Sequence, residues 1–216
     1  MKIISLIIFS LFATGCISQQ DSTVYFKKKY GKKPVAKEKA SFSWTYSNID
    51  GVKTKIHKNL VTDSIIWQSS WKGEEPVGIW ISEYGNTTKE YNYNFTTAYS
   101  KPRCEKPEFE MKKGFFFDDS TSNYSTPVLD GPKNFWITTI HEMFYVNTDK
   151  QGKVMLEFTV DKSGGIQNIS VIQGIDIALD KEAMRIIRTV KFSAPAKKDG
   201  KPIELCVRHT VAFRLN

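Results

Sequence analysis

Two hydrophobic periods divide this chain. From Ser41 to Phe95 the period is two. Ser41-Phe42-Ser43-Trp44-Thr45-Tyr46 alternates polar and aromatic residues, as a half-buried strand does, and Asn48 to Gly51 reads as a turn. Ile65-Ile66-Trp67 and Val77 to Ile81 are further short strands, and Tyr91 to Phe95 returns as a paired strand. Between residues 96 and 133 the regularity lapses. Pro102, Pro107, Pro127 and Pro132 break any long element, and Asp118 to Asn123 marks a loop. Phe115-Phe116-Phe117 is compatible with one buried strand.

The last third is more regular. Phe135, Ile140, Met143 and Phe144 share roughly one helical face within 134–145. Gly152 then opens a strand in which Val154, Leu156, Phe158 and Val160 alternate with polar neighbours. Lys162 to Gly165 makes a turn, and Ile166 to Ile172 pairs back as a β-hairpin. Leu179, Ala183, Ile186, Ile187 and Val190 form a helical stripe, with Asp180 and Glu182 in the first turn to complement the dipole. Ile203, Leu205, Val207, Val211, Phe213 and Leu215 form one face of a final strand, 203–215. The order α-β-β-α-β predicts an α+β fold: a three-stranded antiparallel sheet with two helices on one face, preceded by a small β-rich domain. The expected divisions are 1–15, 16–40, 41–130 and 131–216.

Composition narrows the classes. Of 216 residues, 40% are hydrophobic, enough for a core, and the 13% aromatic share suits pleated surfaces. The net charge of +8 admits nucleic acid, anionic lipid or an acidic partner. The N-terminus disfavours nucleic acid. Lys2 precedes an apolar run, Ile3 to Phe12, too short to span a bilayer and suited to a signal peptide. The ending Ala13-Thr14-Gly15-Cys16 resembles a bacterial lipobox, which implies lipidation at Cys16 and attachment to a membrane. Ile17-Ser18 lacks the Asp that marks inner-membrane retention in such lipoproteins, so the outer membrane, facing the periplasm, is the favoured site. Residues 16–40, with Lys27-Lys28-Lys29 and Lys32-Lys33, read as a basic tether spanning roughly 25–30 Å as a coil.

Two further motifs carry resemblances. Trp71 to Asn86, with Gly78, Trp80, Tyr84 and Gly85-Asn86, resembles a MORN-like hairpin repeat in which Gly78 lets the backbone pass beside the Trp80 ring. The ordered motifs Gly152-Lys153-Val154, Phe158-Thr159-Val160-Asp161, Gly165, Leu179 to Ala183, Phe192-Ser193-Ala194-Pro195-Ala196, Gly200 to Ile203 and Val211-Ala212-Phe213 resemble a TonB C-terminal domain. Phe192 stands where that family often has Trp, and Tyr145-Val146 where it commonly has Tyr-Pro. The resemblance implies a periplasmic module that binds a segment of an outer-membrane transporter, or another envelope protein, by strand addition. The final strand is the expected edge, with Glu204, Cys206, Arg208, Thr210, Ala212 and Arg214 on its non-helical face. The family's energy transducers carry a transmembrane helix and a proline-rich spacer. Here a signal sequence and a tether with only Pro34 replace them, which implies that direct motor coupling is absent or depends on partners.

Cys104 and Cys206 are a candidate disulfide in an exported chain. Its loop of about 100 residues would contribute about 4.7 kcal/mol on chain-entropy grounds, and it would lay the aromatic-rich segment over the open sheet face. His57, His141 and His209 have no metal-type spacing, and no nucleophile, phosphate-loop or dinucleotide motif occurs. No enzyme, cofactor or metal is expected. A structural or assembly lipoprotein without transporters, and an immunity-type binder built on the MORN-like segment, are the competing readings.

Overall fold

The computed structural model describes residues 21–84, 87–103, 109–110, 123–130 and 149–214. The expected signal sequence, Cys16, Cys104, Gly85-Asn86, Phe115 to Phe117 and the helix expected at 134–145 lie outside the described residues.

The first part is a six-stranded antiparallel meander, each strand hydrogen-bonded to the next in chain order: β1 (Ser22–Phe26), β2 (Phe42–Ile49), β3 (Val52–Asn59), β4 (Ser64–Lys72), β5 (Glu75–Tyr84) and β6 (Thr87–Asn92). The tether expected at 16–40 is thus corrected, and the β-rich part begins at 22 and not 41. Thr23, Val24, Tyr25 and Phe26 pair with Thr45, Trp44, Ser43 and Phe42. The lysine run occupies the return loop, which is closed by hydrogen bonds from Val35 N–H to Tyr25 O and from Ser41 N–H to Phe26 O. Charge density masked a short strand whose pattern lay just ahead of it.

Asp50 and Gly51 both adopt positive φ, 51° and 79°, forming the two-residue hairpin turn between β2 and β3. Gly78 is needed for its φ of +74° and not for space. A side-chain carbon there would meet Ser70 only at 3.8 Å, an ordinary contact. Trp80 is 1% exposed, and its indole N–H donates to Ser70 O and Val77 O.

A long connector follows, with β7 (Phe109–Glu110), β8 (Tyr124–Ser125) and β9 (Val128–Leu129) as its described strands. The C-terminal part comprises β10 (Gly152–Val160), β11 (Ile166–Gln173), α1 (Ile177–Thr189), β12 (Phe192–Ala194), β13 (Lys197–Lys198), β14 (Lys201–Pro202) and β15 (Leu205–Phe213). Its sheet has four strands, ordered β11-β10-β15-β7, where three were expected. β12 pairs with β9, and β13 with β14 and β8, so the connector also ties down the loop after α1.

Asp176 caps α1 by accepting from Leu179 N–H at 2.8 Å, which satisfies one orphan donor of the first turn. Asp180 and Glu182, expected to serve the helix dipole, are buried and serve tertiary contacts. Asp180 accepts from Ile175 N–H (2.8 Å) and from the Tyr99 hydroxyl (2.9 Å). Burial raises its carboxyl above the usual range against those two hydrogen bonds. Gly174 is required here, because a side-chain carbon would collide with the Asp180 carboxylate.

Every residue of α1 from Ala178 to Ile187 is buried. One face, with Leu179, Ala183, Ile186 and Ile187, packs on the core side of β10, β11 and β15. The other meets the meander, and Trp80, Tyr91 and Tyr93 belong to the same continuous core as Leu156, Phe158 and Val207. The helix is therefore a middle layer between two sheets. The aromatic-rich part lies on the helix side of the C-terminal sheet, not over its open face as a Cys104–Cys206 bond was expected to imply.

Charged residues join the meander to the helix. Arg185 grips the Glu182 carboxylate with Nε to Oε2 and Nη2 to Oε1, both 2.7 Å, and the Tyr93 hydroxyl donates to Oε2 at 2.6 Å. The guanidinium stands 4.9 Å from the Tyr91 ring centroid. Burial pulls Arg185 toward its neutral form, but the Glu182 carboxylate outweighs this and raises its pKa overall; burial and the same carboxylate raise that of Tyr93. Lys181 reaches Glu75 at 2.6 Å, and Arg188 lies 4.5 Å from the Phe95 centroid.

Candidate protein-binding sheet edge

The C-terminal sheet has a closed face and an open one. Along β15, Leu205, Val207, His209, Val211 and Phe213 are buried toward α1, while Cys206, Arg208 and Thr210 are half-buried and Ala212 exposed on the other side. His209 is buried within the apolar row, which pushes its imidazole down to about 4.

The inner side of β15 pairs with β10 over nine registered residues, from Gly152 opposite Phe213 to Val160 opposite Leu205. Its outer side is bridged by β7 in parallel at two positions only, Val207 with Phe109 and Arg208 with Glu110. Among the described residues, Thr210 to Phe213 has no second strand beside it. The opposite edge, β11, is also engaged. Val171 N–H donates to Ala98 O, and Ser100 N–H donates to Val171 O.

Between these two edges the connector crosses the open face. Arg103 N–H donates to Glu157 Oε2 at 2.7 Å, and Arg208 Nη2 reaches Glu157 Oε1 at 2.6 Å. The Arg103 guanidinium bonds Asn168 O and, at 3.3 Å, Ser170 Oγ. Glu157 is fully buried, so a carboxylate on the central strand is held by donors from both the connector and β15. Residues 98–103 thus touch one edge and the central strand, and residues 109–110 touch the other edge.

The six positions expected on the final strand share one flank, but they are not equally available. Glu204 and Arg214 are exposed at its ends, Cys206 is disulfide-bonded, and Arg208 is committed to Glu157. Thr210 and Ala212 lie on the stretch that β7 does not bridge. The final strand spans 205–213, inside the expected 203–215, with Ile203 N–H turned back to Ala196 O. The sequence reading missed Arg103, Glu157 and β7. No sequence signal marked them, because Glu157 stands in the same outward row as Lys153, Thr159 and Asp161.

Among the described residues no group of His, Cys, Asp or Glu is arranged to hold a metal ion, and no helix is long and apolar enough to cross a membrane. No curated protein and no solved structure matches the chain. Residues 146–215, about a third of the chain, match the family described as Gram-negative bacterial TonB protein C-terminal, and so carry a domain similar to that transport-related protein-binding module of the Gram-negative envelope.

Proposed function

We propose that this protein is a periplasm-facing lipoprotein, anchored through Cys16, preferably in the outer membrane, that captures an extended segment of an outer-membrane transporter or another envelope protein. Capture occurs by strand addition along the outer side of β15. The observation that carries this reading is the two-residue reach of β7, which ends at Arg208 and leaves Thr210–Phe213 without a bridging outer strand among the described residues. Unpaired main-chain groups on a strand edge are satisfied by an incoming strand. Four or five added hydrogen bonds at about 1 kcal/mol each, less the cost of association, give a transient complex. A longer partner would replace β7, which has only two registered positions to lose.

A second reading is favoured by the connector. Because residues 98–100 engage one sheet edge and 109–110 the other, the same fold also suits fixed contacts in an envelope assembly, with no transporter and no energy coupling. We assign Cys104 as the partner of the disulfide-bonded Cys206: Arg103 is held at Glu157, one strand away from Cys206, and Phe109 sits beside Val207. The bond would then pin the connector across the open face.

Photocrosslinking from Thr210 and Ala212 in intact cells, with mass identification of the captured chain, tests these readings. Capture of a transporter's extended segment supports the first, and capture of assembly components alone supports the second. Titration with extended transporter peptides gives an independent answer. Amide shifts confined to 210–213 are expected, and no shift at about 1 mM peptide, where binding is only about 4 kcal/mol, removes strand addition.

A further inference from the structure

The meander's helix-facing surface is not fully covered. Beyond Trp80, Tyr91 and Tyr93 it forms one wall of a groove of about 1080 Å³, whose other wall is the approach to α1. Tyr46, Trp67 and Trp71 present aromatic surface to it. The Lys55 ammonium lies 4.3 Å from the Trp44 centroid, 5.4 Å from that of Tyr46 and 5.6 Å from that of Trp67. Asn48 and Ser69 add polar groups.

Three features define the ligand. The space exceeds the usual span for small-molecule pockets of about 300–1,000 Å³, so the occupant is extended. The charged lining is balanced: Lys53, Lys55 and Lys150 face Glu74, Asp149 and Asp176, a neutral field overall. The strands supplying most of the floor, β3 and β4, are paired on both sides, so they have no main-chain groups to offer a peptide. What remains is flat aromatic surface interleaved with hydrogen-bonding side chains. Such a surface suits a ligand whose units have one apolar ring face and an equatorial rim of hydroxyls.

We infer that this groove binds a neutral oligosaccharide, with sugar rings laid over Tyr46, Trp67 and Trp71 and their hydroxyls taken by Lys55 and Asn48. The site is independent of the β15 edge, being on the other side of α1.

Calorimetric titration of the purified mature chain with chitotetraose and cellotetraose tests the assignment. Millimolar or tighter binding of either is expected, unchanged between about 0.05 and 0.5 M salt because the ligand carries no charge. Tyr46→Ala should weaken it about tenfold, the usual loss at a central aromatic contact. Tyr46 is 41% exposed, so this variant keeps the fold even where Trp67→Ala does not. No heat with either sugar at about 10 mM, binding of an acidic tetrasaccharide in preference to both, or undiminished binding by Tyr46→Ala would each overturn the inference.

Discussion

Replacing Arg185 with methionine should separate the meander from the C-terminal domain energetically. The change removes two 2.7 Å hydrogen bonds from a Glu182 carboxylate that is fully buried, while the Tyr93 hydroxyl still donates to it. Methionine keeps most of the apolar stem against Tyr91, so the loss is electrostatic. Stranding one partner of a buried ion pair costs about 3–5 kcal/mol. The expected loss is therefore about 3–5 kcal/mol at pH 7. Urea unfolding followed by tryptophan fluorescence measures it, since Trp80 lies 4.9 Å from Tyr93 at the same junction. Glu182→Leu combined with Arg185→Met should regain most of the loss, because no charge is then left buried. A loss below about 1 kcal/mol at pH 7, or a double variant as unstable as the two single losses summed, would refute the claim that this pair joins the two layers.

Three other outcomes are expected. Gly174→Ala forces a carbon into the Asp180 carboxylate and should cost about 1–3 kcal/mol in the same urea assay, with the Tyr99 hydrogen bond disturbed. His209 has its folded pKa depressed to about 4 from an ordinary value near 6.5, so its neutral form stabilises the fold above pH 6.5 and that contribution is lost as pH falls to 4. The loss should reach about 3 kcal/mol, and His209→Leu should flatten the pH profile in that window. Phe109→Pro removes a donor from β7 and should loosen its pairing with Val207. Peptide affinity at β15 should rise severalfold if β7 competes with the incoming strand, and unchanged affinity would show that capture uses only 210–213.

Local pattern determined a good deal. The alternation of Val154, Leu156, Phe158 and Val160, the Lys162–Gly165 turn and the stripe through Leu179, Ala183 and Ile187 specify the β10–β11 hairpin and α1, because side-chain period and turn chemistry are properties of neighbouring residues. The ordered motifs of the last third likewise identified the domain that the family match places at 146–215. What sequence period could not express is contact between distant segments. Asp180 and Glu182 read as partners of the helix dipole, and Lys181 and Arg185 fall outside the apolar stripe, yet all four are buried, since only the folded meander brings Tyr93 and Glu75 to them. The final strand read as a free edge because two residues, Phe109 and Glu110, leave no periodic trace of a strand. Tertiary structure decided how much of that edge stays open, because a strand's outer hydrogen bonds depend on whichever segment lies beside it and not on its own alternation.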